Sequence, residues 1–173
     1  EFKTQHNHII VDDEDDQLCW YRFLACCLYP ELTNPILDAE SNAESKRTYY
    51  GITKRTQNAN RLLLEEHGIT YTTKMPEQGK QILQAFQGIT MEEMKESAEK
   101  HKINIDIYEY HQVKSSNESK ENKYYDLQEQ WYFSKDYTTH SALLFTKGMV
   151  VHIMYIKDAE KLTGIHICPK CHS

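Results

Sequence analysis

Cys19 closes the acidic run Asp12-Asp13-Glu14-Asp15-Asp16-Gln17-Leu18 and opens an apolar stretch that reaches Leu28. A thiol attacks carbon only as the thiolate. The start of a helix favours that form, because its first backbone N–H groups lack intrahelical partners and carry the positive end of the dipole. Cys19 stands where such a helix would begin. The aspartates work against it, since nearby negative charge disfavours a thiolate. Backbone N–H groups of the loop before the cysteine are also suited to receive an oxyanion. A plainer reading fits the same letters: a buried cysteine that is the first core residue of an acid-capped helix.

A cysteine nucleophile needs a base, usually a histidine distant in sequence. Nine are present. His6 and His8 lie in a polar leader, His67, His101 and His111 at expected element ends, and His166 and His172 beside a cysteine pair. His140 and His152 remain, around the apolar stretches Ser141 to Phe145 and Met149 to Ile156. Thr146-Lys147-Gly148 reads as a three-residue hairpin connection, with glycine where positive φ is needed. That register sets Phe145 opposite Met149, Ala142 opposite His152 and His140 opposite Met154, so the two histidines share a face as diagonal neighbours. The plainer reading is one or two hydrogen-bonded interior histidines.

The third chemical feature is His166-Ile167-Cys168-Pro169-Lys170-Cys171-His172, which has zinc-knuckle spacing. Adjacent Cys171 and His172 do not easily reach one tetrahedral ion. Cys168 and Cys171 are therefore expected to be half of a zinc motif, or else part of a reduced tail.

The elements that must position these residues can be read in order. Trp20, Phe23, Leu24, Cys27 and Leu28 repeat with helical spacing, Asp15 or Asp16 is expected to supply the N-cap oxygen, and Pro30 ends the helix. Leu62, Leu63 and Leu64 belong to a helix that stops near Gly68, and Gln81, Ile82, Leu83 and Phe86 suggest another. Thr90 with Glu93 forms a capping box that opens a helix to about His101. Ile103, Ile105 and Ile107 alternate with polar residues as a strand, and Ile9-Ile10-Val11 suits a short one. Residues 111–123 are polar and read as a surface loop. Helices first and strands last predict an α+β fold.

The 173 residues suit one domain. A net charge of −6 argues against a nucleic-acid surface and against an anionic membrane surface. No apolar run is long enough to span a membrane. Five cysteines is an odd, clustered count, unlike a secreted disulfide scaffold, so an intracellular setting is expected. The first residue is not Met, and residues 1–11 read as a leader or cloning remnant.

With these residues in place, a resemblance can be stated. Asp16-Gln17-Leu18-Cys19-Trp20-Tyr21-Arg22 resembles the Asp-Gly-Asn-Cys-Leu-Phe/Tyr-Arg signature of ovarian-tumour-type (OTU) cysteine proteases, which are mostly deubiquitinases. The stretches EEMKESAEKHKINIDIYEY, HSALLF and VVHIMYI resemble, in the same order, that family's helix and strand, its next central strand, and the strand that opens with the catalytic histidine. The resemblance runs from about residue 12 to residue 157, within an expected domain of residues 12–160. It implies a papain-like fold, Cys19 as nucleophile, His152 as general base, and Asp16 shaping an oxyanion loop of Asp16, Gln17 and Leu18. It implies ubiquitin or a ubiquitin-like protein as substrate and no cofactor; zinc at Cys168 and Cys171 is expected only from their spacing. Many members carry Asn or Asp two residues after the histidine, where this chain has Met154; His140, Asp12 and Asp13 are the candidates for the orienting residue. An inactive ubiquitin-binding module of a mobile-element or viral protein is the alternative, because the chain is also similar to segments upstream of protein-primed family-B DNA polymerases in self-synthesising transposons and related viruses.

Overall fold

The computed structural model describes residues 8–12, 14–33, 44–71, 74–114, 121–147 and 150–163. The chain divides into two compact units: Glu14–Glu96, and Glu1–Asp13 together with Ser97–Ser173.

The first unit is helical. Helix α1 (Cys19–Leu28) is buried from Cys19 through Cys27, Arg22 included, rather than along one apolar stripe. It packs on α2 (Glu44–Glu66), whose Leu62, Leu63 and Leu64 are all buried. A Schellman turn ends α2, as the sequence predicts near Gly68. The Ile69 N–H donates to the Leu64 carbonyl, the Gly68 N–H donates to the Glu65 carbonyl, and Gly68 takes φ +75°. Pro76 precedes α3 (Glu77–Ala85). Helix α4 (Met91–Lys100) opens with the expected capping box. The Glu93 N–H donates to Thr90 Oγ1 at 3.2 Å, and the Thr90 N–H donates to Glu93 Oε2 at 3.1 Å.

The second unit is a five-stranded sheet in the order β1-β5-β4-β2-β3. Its strands are β1 (Ile9–Ile10), β2 (Ile103–Lys114), β3 (Glu121–Trp131), β4 (Thr138–Lys147) and β5 (Val150–Ile156). β2 and β4 run parallel and the other pairs antiparallel. Short helix α5 (Ala159–Thr163) follows, and its Leu162 packs with Ile9, Tyr108, Leu143, Met154 and Ile156. Helices and a mixed sheet make the protein α+β, as read from the element order.

One expectation fails here, and one strand was not foreseen. Residues 111–114 and 121–123 are strand, not surface loop: they pair from His111–Tyr124 to Lys114–Glu121, while residues 115–120 lie outside the described residues. The whole of β3 escapes the sequence pattern because it is an edge strand, with Asp126 through Gln130 exposed and a bulge opposite Ile107/Tyr108. Without a buried face, there is no alternation to read.

Asn104 locks the β3–β4 connection. Its Nδ2 donates to the carbonyls of Ser134 (2.7 Å) and Tyr137 (3.2 Å), and its Oδ1 accepts from the Phe133 N–H at 2.9 Å and the Ser134 N–H at 3.4 Å. The residue is buried. Asn104→Ala strands several half-buried backbone groups, and the expected cost is about 1–3 kcal/mol. Urea denaturation measures it; a loss below about 0.5 kcal/mol would show that the connection holds without this side chain.

Candidate functional site

The cysteine loop is held by one carboxylate. Asp16 Oδ1 accepts the Leu18 N–H at 3.0 Å, while Arg22 Nη2 and Nη1 reach Oδ1 and Oδ2 at 2.5 and 2.9 Å. This is a two-pronged ion pair, with the Arg22 side chain 2% and the Asp16 side chain 39% exposed. The spacing Asp-x-x-Cys-x-x-Arg thus has a physical meaning. The arginine sits one turn into the helix, reaches back to the aspartate, and the aspartate folds the intervening loop so that Cys19 is the first helical residue. The expected N-cap oxygen is not there. Leu18 occupies the cap position and makes no side-chain cap hydrogen bond, because Asp16 turns its carboxylate to Leu18 and Arg22. The helix nevertheless begins in register, with the Arg22 N–H donating to the Leu18 carbonyl at 2.9 Å.

Cys19 is buried and carries no acidic neighbour in the first turn of its own helix. Gln17 is exposed and Leu18 half-buried. Cys26 and Cys27 are core residues, and burial pushes the Cys27 thiol up, so it stays protonated. Among the described residues, Cys19, Cys26 and Cys27 are all thiols without a disulfide. Behind Cys19, the Tyr21 hydroxyl donates to Glu66 Oε2 at 2.7 Å, and burial together with that carboxylate pushes the phenol well above its ordinary range.

The histidines belong to the sheet unit, Cys19 to the helical one. Here the hairpin register corrects the sequence reading. The ladder runs Phe145–His152, Thr146–Val151 and Lys147–Val150, so pairing continues through Thr146 and Lys147, which the sequence reading placed in the connection, while residues 148 and 149 lie outside the described residues. Opposed residues share a face, and His140 lies five residues, an odd number, before Phe145. His140 and His152 therefore occupy opposite faces of the sheet. A one-position change in parity is enough, because side chains alternate with period two. His152 is half-buried, its ring stacked on Phe145 at 5.0 Å and 16°. Its Nδ1 is buried and finds no hydrogen-bond partner among the described residues. Met154 lies 1% exposed in the apolar cluster with Ile9, Leu143 and Ile156, so no orienting group comes from that position.

His140 instead meets Tyr155, with 3.1 Å between Nδ1 and the phenol oxygen. Burial lowers its pKa from the ordinary 6.5. The unfolded chain therefore takes up this proton at higher pH than the folded chain does, and acid favours unfolding across that interval. Stability is expected to fall as pH drops through 6.5 toward the depressed folded value, and His140→Gln is expected to flatten that slope. Urea midpoints measured from pH 7.5 to 5 on both proteins check it; equal slopes would refute it.

Of the acidic candidates, Asp13 lies outside the described residues, as do Cys168 and Cys171. Asp12 is buried, in the same unit as His152. It follows β1, which pairs with β5 through Ile9–Ile156 and Ile10–Tyr155. Continued, that antiparallel register would set Val11 level with Met154 and Asp12 level with Ile153, whose side chain alternates to the face opposite His152. Val11 packs against the same apolar cluster, in keeping with that path. The segment read as a leader thus contains a strand of the sheet. Among the described residues, no group of three or more His, Cys, Asp or Glu could hold a metal ion, and no helix is long and apolar enough to cross a membrane.

Sequence reasoning missed the segment that closes on the cysteine loop from α3. Phe86 meets the Tyr21 ring edge-on at 5.7 Å, and Gly88, at φ +98°, lies against Gln17. The only hint was a glycine between an apolar helix and a capping box. Searches for similarity return no match to this chain among family models, curated proteins or solved structures.

Proposed function

We propose that this protein is a cysteine-type isopeptidase of the OTU kind, acting on ubiquitin or ubiquitin-like conjugates. The observation that carries the reading is the Asp16 brace: one carboxylate bound to the Leu18 N–H and to Arg22 sets Cys19 as the first residue of α1. An inert core cysteine does not require a buried arginine and an aspartate to shape the loop before it. In the proposed reaction the Cys19 thiolate attacks the isopeptide carbonyl carbon. The oxyanion that forms takes hydrogen bonds from backbone N–H groups of the loop and of Cys19. Protonated His152 gives its proton to the departing lysine amine as the C–N bond breaks, leaving a thioester on Cys19. Water then gives a proton to His152 and attacks the thioester carbonyl; the C–S bond breaks, releasing the carboxylate and the thiolate.

A non-catalytic ubiquitin-binding module is the second reading, favoured by the apolar surroundings of Met154 and by the unpartnered His152 Nδ1 among the described residues. A ubiquitin probe with a thiol-reactive C-terminal warhead separates the two. The proposal expects covalent labelling of the protein and none of Cys19→Ala. Labelling that survives Cys19→Ala, or unlabelled protein that still binds ubiquitin, would rule out the enzyme.

A further inference from the structure

The segment between α3 and α4 is tied at both ends. Phe86 packs edge-on against Tyr21, two residues into α1, and Thr90 is fastened in the capping box with Glu93. Between them Gly88 adopts φ +98°, a conformation that suits glycine. A Cβ at position 88 would lie 2.7 Å from Gln17 Oε1, 3.6 Å from its Cδ and 3.8 Å from its Cβ. Gln17 is the residue before Leu18, whose N–H is held by Asp16. The loop ahead of Cys19 is therefore held from within by the Asp16 carboxylate, and its Gln17 side chain lies in the space that a Cβ at position 88 would need.

We propose that Gly88 is a positioning residue for the Cys19 loop: the bare backbone at position 88 seats the Gln17 side chain and so fixes the direction of the Leu18 and Cys19 amides beside the thiol. The idea rests on Cys19 being the nucleophile, and it reaches the thiol only through Gln17. Contact with the end of a flexible side chain is readily displaced, so Gly88→Ala should push Gln17 aside more than it disturbs the helices.

The test reads Cys19 itself and not protease activity. The rate of Cys19 alkylation by iodoacetamide is followed against pH by peptide mass spectrometry for the protein, Gly88→Ala, Gln17→Ala and the double variant, with thermal melting of each. Gly88→Ala and Gln17→Ala are each expected to slow alkylation at pH 7 about threefold to tenfold and to move its pH profile upward. The double variant is expected to be no slower than the slower single one, because both changes break the same contact. Alkylation of Gln17→Ala at the unaltered rate, or additive losses in the double variant, would overturn the proposal. Gln17→Ala introduces no backbone strain, so it decides the matter even if Gly88→Ala fails to fold. A protein unlabelled by the ubiquitin probe would remove the isopeptidase reading and still leave this comparison decisive.

Discussion

His152→Ala is expected to lower turnover of a fluorogenic ubiquitin substrate by about a thousandfold or more, and His140→Ala by less than about tenfold. The two histidines can be told apart because the β4–β5 register puts them on opposite faces. Only one face can serve a given thiol. His140 is half-buried against Tyr155, and that burial holds it neutral at pH values where an ordinary histidine would begin to charge. That suits a structural hydrogen bond, whereas the proposed base must take and give a proton in every cycle. His152 has Phe145 stacked on its ring, which restricts rotation, and it needs an acceptor for Nδ1. Among the described residues Asp12 is the acidic candidate, yet the β1 register carried forward sets it level with Ile153, on the face opposite His152. Asp12→Asn is therefore expected to change turnover by less than about tenfold, far less than His152→Ala. Full turnover by His152→Ala would overturn the assignment of the base.

Asp16→Ala is expected to cost about 2–4 kcal/mol of stability and to abolish probe labelling. The Arg22 guanidinium is almost wholly buried, and removing its carboxylate leaves a desolvated cation without that counter-charge. The exposure of Asp16 itself lets water reach the site, which keeps the cost at the lower end of what a fully buried pair shows. The effect on the thiol is separate from the effect on folding, because the same carboxylate holds the Leu18 N–H. Asp16→Asn distinguishes them. It can still accept from Leu18, so it should retain measurable labelling while losing most of the ion-pair energy. Arg22→Met combined with Asp16→Ala should be more stable than Asp16→Ala alone, since no buried charge remains. Urea denaturation and probe labelling on the same four proteins test this, and equal stability of Asp16→Ala and the unaltered protein would refute it.

Much of the scaffold was legible before any coordinates. The apolar spacing from Trp20 to Leu28, the Thr90–Glu93 capping box, Gly68 and the Ile103–Ile107 alternation are local signals, and local backbone geometry sets them within a few residues. Asp16 was legible as a loop-shaping residue, though not as a partner of Arg22: the motif gives a spacing, while the ion pair needs the loop already folded. The parity of the hairpin was not legible. Thr146-Lys147-Gly148 is compatible with connections of two or three residues, and the choice depends on how β4 and β5 bury their faces. That choice separates His140 from His152. Likewise β3, an exposed edge, and the approach of Gly88 to Gln17 rest on contacts between residues far apart in the chain. The letters along the chain name the thiol, the helix that carries it and the strand that bears the histidine. Which histidine shares a face with Phe145, and what grips the loop before the thiol, follow from pairing across the sheet and packing between segments, because those energies depend on partners that no single stretch contains.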